Sequence, residues 1–328
     1  MTVASDLTPY ITPALVRAAG LGISWNSFPA TNATAQQKAA ALLDVCQTAS
    51  STMEQEAQQG LRPTTAVEQE FGPDRLVTVS HNNGWTRMQL TRWPVIAILA
   101  GSVASAWQVP VNGVLQNQIV IPPGAMLTQH LLLPDTGSIN TMSADQGPTA
   151  VLIPPGYATL ISQRNSLIFT ITYMNGWPIA GIDAPCLAGA TVIHVDDISA
   201  WWNGTAGARG RIYDPPYTEA VICTGSTPDI SGATSGPGFL SVTPLQFAHT
   251  PVIGQSDQPN QTVLLSAMPR ALLEAGLYYA IHYGMIRGAT GAVVQSARPN
   301  VSSDGLGAAQ SWYDRATKIM EKFARAVS

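Results

Sequence analysis

The sequence predicts an α+β fold: a helical bundle of about four helices formed from both chain ends, with a β-rich insertion that holds a small barrel-like module. Residues 8–60 and 266–328 space their apolar positions three and four apart, as helices do. The stretch between them alternates every second residue in short runs broken by Gly, Pro and Ser. Only 11% of residues are charged, against about a quarter in ordinary domains, which points to a surface covered by partners.

The first helix is expected within residues 8–21, capped at Thr12 with Pro13 at its first position. The longest runs from Thr34 to Gly60. Ala35, Ala39, Leu42, Cys46, Ala49, Met53 and Ala57 form its stripe, Thr34 and Gln37 a capping box, and Gly60 the expected stop. Its opposite face (Gln36, Gln47, Ser50, Gln58) is polar but nearly uncharged. Such a helix is expected to pack against its own chain and against another copy. Ala39, Leu42, Ala49 and Met53 are the candidate subunit contacts, with Gly276 and Gly284.

Short strands are expected at Thr65–Phe71, Leu76–Ser80 and Thr86–Leu90, with His81–Gly84 as a turn. Trp93–Val103 reads as a buried strand. These close an N-terminal part over residues 1–105. Residues 106–165, crowded with Pro and Gly, read as a loop-rich insertion. Residues 166–188 carry a core strand, SLIFTITY, and a linker. Residues 189–265 supply four or five short strands, enough for a closed or nearly closed barrel. Helical period returns over 266–328. Leu273, Gly276, Ala280 and Gly284 share one face, and Asp304–Val327 combines an apolar stripe (Trp312, Ile319, Phe323) with a basic one (Arg315, Lys318, Lys322, Arg325).

The net charge of −4 without a basic block argues against a dedicated nucleic-acid binder. Between Trp93 and Leu265 the basic residues are Arg164, Arg209 and Arg211, against nine acidic ones. Three widely spaced cysteines suit a reducing compartment. No signal peptide, membrane span, bound cofactor or metal is expected. His194 with Asp196 and Asp197 is the nearest thing to a metal cluster, and a polar strand face running into a turn explains it better. His249 reads as a structural histidine. Asp214 and Glu219, flanking Pro215-Pro216, read as hairpin residues. Trp201-Trp202 could stack on sugar rings but more simply cover a barrel end. Nothing supports an enzyme: no Walker loop, dinucleotide turn or nucleophile elbow is present.

The order ITPALVRAAGL, the Ala-rich helix, LTRWPVIAI, SLIFTITYMNGWP, LLEAGLYYAIHYGMIRG after Met268-Pro269, and a last amphipathic helix after Gly-Leu-Gly resembles the head-to-tail adaptor, or connector, proteins of long-tailed bacteriophages. The segment Gly189–His249 is similar to a β-module inserted in larger members. The resemblance implies a structural virion protein without catalytic function. Twelve copies would form a ring under the portal at the virion neck, assembled in the host bacterial cytoplasm. Duplex DNA would pass its channel without specific binding, and an acidic, lysine-free middle would not trap it. The resemblance also implies that the C-terminal helix engages the portal, with Trp312, Arg315, Lys318, Lys322, Phe323 and Arg325 as contacts. Other surfaces would meet the next neck or tail protein. A stopper or tail-completion ring, and a β-rich carbohydrate-binding or adhesion protein, are the alternatives.

Overall fold

A computed structural model describes residues 7–19, 25, 28–30, 32–72, 77–79, 85–105, 118–129, 148–158, 167–202, 207–252, 262–287 and 305–323. The His81–Gly84 turn, His130, Arg164 and most of residues 106–165 lie outside them.

The expected helical frame is corrected. Fourteen strands dominate the described residues, and only four helices exceed a single turn. A closed barrel and two four-stranded sheets carry the architecture, rather than a bundle drawn from both chain ends. The cause is unequal signal. A capped 23-residue helix announces itself locally, whereas strands of three to five residues become visible only when paired.

The helices are α1 (Pro13–Ala18), α2 (Ala35–Ala57), α3 (Arg270–Ile286) and α4 (Gly305–Met320). Thr12 caps α1. Thr34 and Gln37 form the capping box of α2, with Gln37 N donating to Thr34 Oγ1 and Thr34 N to Gln37 Oε1. The stop of α2 falls earlier than Gly60, at Gln58 in the left-handed region (φ 54°). The strands are β1 (Thr64–Gly72), β2 (Val77–Val79), β3 (Thr86–Gln89), β4 (Val95–Ser105), β5 (Ile119–Ile121), β6 (Leu127–Gln129), β7 (Ala150–Ile153), β8 (Leu167–Asn175), β9 (Ile179–Ile182), β10 (Val192–Val195), β11 (Arg209–Tyr213), β12 (Glu219–Pro228), β13 (Gly238–Val242) and β14 (Val263–Ser266).

Two compact units divide the chain at Leu61/Arg62 and at Trp177/Pro178. The unit of the intervening residues holds two sheets, ordered β1-β8-β4-β5 and β2-β3-β7-β6. Met88, Val103, Ile121, Val151, Phe169 and Ile171 belong to its core. Strand β4 is not buried throughout. Its register shifts at Ala97 and Ala100, and Leu99 is exposed between them. Glu68 of β1 accepts from Thr91 N and from the Tyr173 hydroxyl, which satisfies a carboxylate on the inner side of the sheet.

The other unit contains the helices and the barrel, whose strands close in the order β10-β13-β12-β11-β14-β9. Ile193, Val195, Ile212, Val221, Leu240 and Leu265 point inward. In β10 the exposed Val192 and half-buried His194 alternate with buried Ile193 and Val195, the period that a half-buried strand requires. Trp201 is wholly buried within the barrel. Gly210 makes room for it: a Cβ there would lie 2.6 Å from the indole ring. The closure recruits β9, from outside the expected 189–265 module, so the barrel has six strands.

Candidate functional site

The terminal helix α4 lies on α3 through Ala309, Ala316, Met320 and, just past its end, Phe323, all buried. Polar bonds fix the seat. His282 Nδ1 donates to the Ala309 carbonyl at 2.9 Å. The Tyr279 and Thr317 hydroxyls meet at 3.1 Å. Tyr313 donates to Glu56 Oε1 at 2.8 Å, and burial together with that carboxylate pushes its phenol up to about 12.

The other side of α4 remains outward. Trp312 is half-buried and lies against Tyr278, with ring centroids 5.2 Å apart. The Arg315 guanidinium sits 5.0 Å above the Trp312 ring, a cation–π arrangement. Lys318 and Lys322 are exposed. Tyr278 donates to Glu274, which leaves an acidic margin on the neighbouring helix. Four of the six expected portal contacts therefore share an accessible basic and aromatic region. Phe323 is a correction: buried by its own chain, it offers no anchor to a partner. Arg325 lies outside the described residues, and the helix expected to reach Val327 ends at Met320.

The expected subunit contacts are enclosed by the chain itself. Ala39, Leu42, Ala49 and Met53 are buried in α2. A Cβ on Gly276 would meet Ile11 and Met53, and one on Gly284 would meet the Trp25 ring at 2.4 Å. These glycines let helices and aromatic side chains approach closely inside one molecule. What α2 turns outward is Gln36, Ala40, Asp44, Gln47, Ser51 and Gln55. Asp44 is its one charge, and Arg287 pairs with it. Ser50, expected on that face, is half-buried and accepts from Tyr10 N.

Two histidines carry more structure than their surroundings in the sequence suggest. His194 lies between Asp183 (Nδ1 to Oδ1, 2.5 Å) and Asp229 (Nε2 to Oδ2, 3.0 Å). Its expected companions are turned elsewhere. Asp196 accepts from Thr8 N and Gly181 N, and Asp197 from Ser199 N and Gly236 N. Among the described residues no three His, Cys, Asp or Glu side chains converge as a metal site needs.

His249 is 0% exposed and held from both sides, Nδ1 by Asp214 at 3.0 Å and Nε2 by Glu219 at 2.8 Å. Two carboxylates can both accept from an imidazole only when both ring nitrogens carry protons. Burial pulls its pKa down, but the hydrogen bonds and charges of Asp214 and Glu219 outweigh burial and raise it. Glu219 also accepts from Gln246 N and Phe247 N. Asp214 and Glu219 are thus fastened to one histidine across the barrel rather than merely to their hairpin. No local signal marks this, since the partners lie 35 and 30 residues apart.

Trp201 is core, and the hint of a sugar platform goes with it; the exposed aromatic pair is instead Tyr217 with Phe247, 5.4 Å apart. All three cysteines are free and buried, and burial raises their thiol pKa values. No helix among the described residues is long and apolar enough to cross a membrane. Comparison with protein-family models, characterised proteins and solved structures gives no match.

Proposed function

We propose that this chain is a structural protein of a phage neck, an adaptor that forms a ring under the portal and leaves a channel for DNA. The observation that carries the proposal is the outward face of α4. There Trp312 and Tyr278 supply apolar area, and Arg315 and Lys318 supply cations, in a chain with only 16 Lys and Arg among 328 residues. Aromatic residues and Arg dominate interface energetics. Cations at the rim steer a partner of opposite charge and set the rate of encounter. The order of sequence segments supports the same reading, and the outer face of α2, whose one charge Asp44 is paired with Arg287, suits a protein surrounded by copies of itself.

The portal is the proposed partner of the α4 face, and the virion neck its place. Chain mass in solution tests this: the purified protein is expected to run as a ring, and to form a larger complex when mixed with portal. Truncation after Asp314 is a poor probe, because it also removes Ala316, Met320 and Phe323 from the core. Lys318→Glu with Arg315→Glu changes only exposed cations. That pair is expected to abolish the complex with portal while leaving the ring, and to do so most at low salt. Unaltered portal binding by this variant would refute the α4 face as the contact.

A further inference from the structure

We infer that His194 is a proton-operated latch on the loop between β12 and β13. With both ring nitrogens protonated it ties the start of that loop to the barrel wall, and on losing a proton it lets the start go. The loop, residues 229–237, runs along the surface. Asp229, Ile230, Ser231, Gly232, Thr234 and Ser235 are exposed, Ile230 at 73%. Its two roots are fastened differently. At the far root Gly236 N donates to Asp197 Oδ1 and Ile198 N to the Gly236 carbonyl, at 3.0 and 2.9 Å. At the near root Asp229 Oδ2 accepts from His194 Nε2 at 3.0 Å, and Asp229 N donates to the Pro237 carbonyl at 3.1 Å across the hairpin. Of these bonds, the one from His194 is made by the side-chain type whose charge ordinarily changes between about pH 5 and 8.

The ring has a firm side and a loose side. On the firm side Nδ1 meets Asp183 Oδ1 at 2.5 Å, and Asp183 N donates to the His194 carbonyl, so that aspartate is tied to β10 twice. Its side chain is 27% exposed, against 39% for Asp229. A neutral imidazole carries one N–H, which stays with the shorter, better shielded bond to Asp183. Nε2 then turns a lone pair toward a carboxylate oxygen 3.0 Å away, one acceptor facing another. Asp229 moves off into water that it already partly meets. The remaining neighbours do not take over its bond. Phe239 of β13 packs its ring on the imidazole, centroids 4.8 Å apart. Asp196, two positions along β10, accepts from Thr8 N and Gly181 N.

The sign follows from the same neighbours. Burial lowers the pKa of His194, and the hydrogen bonds and charges of Asp183 and Asp229 raise it by more. The latch is therefore fully shut below the ordinary value of 6.5 and opens as pH climbs through the raised one. Only the near root lets go. The Asp197 and Ile198 bonds keep Gly236 in place, and the ladder keeps Pro228 opposite Gly238, so the loosening is confined to residues 229–235.

Hydrogen exchange of the full chain, followed by mass spectrometry between about pH 5 and 8 and corrected for the intrinsic base-catalysed rise, reads the loop directly. Residues 229–235 are expected to exchange about two- to fivefold faster above the His194 midpoint than below it, the weight of a partly exposed ion pair. The amides of β13 are the reference, because the pKa of His249 is also raised within this barrel and its titration loosens loop and strand together. Asp229→Asn is the deciding variant. A carboxamide accepts from Nε2–H or donates to its lone pair, so its loop should show no step. His194→Gln, which does not titrate, should show none either. An equal step in either variant, or a wild-type step shared by β13, would overturn the latch. So would a wild-type loop that stays level while NMR shows the His194 ring titrating, or a ring midpoint at or below 6.5.

Discussion

Replacing His249 with leucine should cost the barrel about 3 kcal/mol below neutral pH. Removing one partner of a buried ion pair costs about 3–5 kcal/mol, because the other charge is left unpaired. The lower end applies. Glu219 keeps the Gln246 and Phe247 N–H donors, and Asp214 is partly exposed. The sign of the pH dependence follows from the raised pKa of His249. A proton is bound more tightly in the folded state than in the unfolded one. The stabilisation is therefore complete below the ordinary value of 6.5. It falls by about 1.4 kcal/mol per pH unit as pH climbs from there to the raised value, and is then gone. The groups facing the ring are Asp214, Glu219 and, through the backbone bridge to His249, Cys186. Pulsed thiol labelling in urea gives the assay, because Cys186 and Cys223 lie in the barrel core while Cys46 lies in α2. Peptide masses then report the barrel apart from the helices. A loss under about 1 kcal/mol at pH 6, or a pH slope unchanged by the substitution, would show that the histidine is not held as an imidazolium.

Phe323→Ala should destabilise the helical part by about 3 kcal/mol, seen as earlier labelling of Cys46. Trp312→Ala should stay within about 1 kcal/mol by the same readout and lose affinity for portal instead. Gly210→Ala presses a methyl against the Trp201 ring and should cost about 1–3 kcal/mol, measured by Cys223 labelling. Asp229→Asn removes one carboxylate from His194, which is only partly buried. It should lower the His194 titration midpoint in a proton NMR titration, since both carboxylates raise it against the downward pull of burial, while changing stability by less than about 1 kcal/mol.

How much was readable depends on range. The α2 cap needed only Thr34 and Gln37, three residues apart, and strand β8 showed its alternation in SLIFTITY. Strand β9 did not: Ile179–Ile182 is buried at every position and so has no period to detect. Strands β5, β6 and β7 lie among prolines and glycines in a stretch read as an insertion of irregular strands and loops, without bounds for any strand. The sites followed the same rule. The apolar stripe of the last helix was half legible: Phe323 is buried, but Trp312 and Ile319 are only half-buried, and the helix ends at Met320, short of the expected Val327, where the chain turns and carries Phe323 inward. The Asp183 and Asp229 partners of His194 exist only once the strands have paired, so composition near His194 pointed to Asp196 and Asp197 instead.

The barrel begins at β9 and ends at β14, and these two strands are hydrogen-bonded neighbours, with Ala180 opposite Leu265 and Ala267 N donating to the Pro178 carbonyl at 2.9 Å. The chain thus leaves the barrel where it came in. A segment with touching ends costs its host little closure entropy, whatever its length. The stretch between Ile182 and Val263 is a closed excursion, fastened to the start of the chain where Asp196 accepts from Thr8 N and to its own entry strand where it accepts from Gly181 N. A longer turn within it adds only about 0.6 kcal/mol of closure cost per doubling of the turn's length.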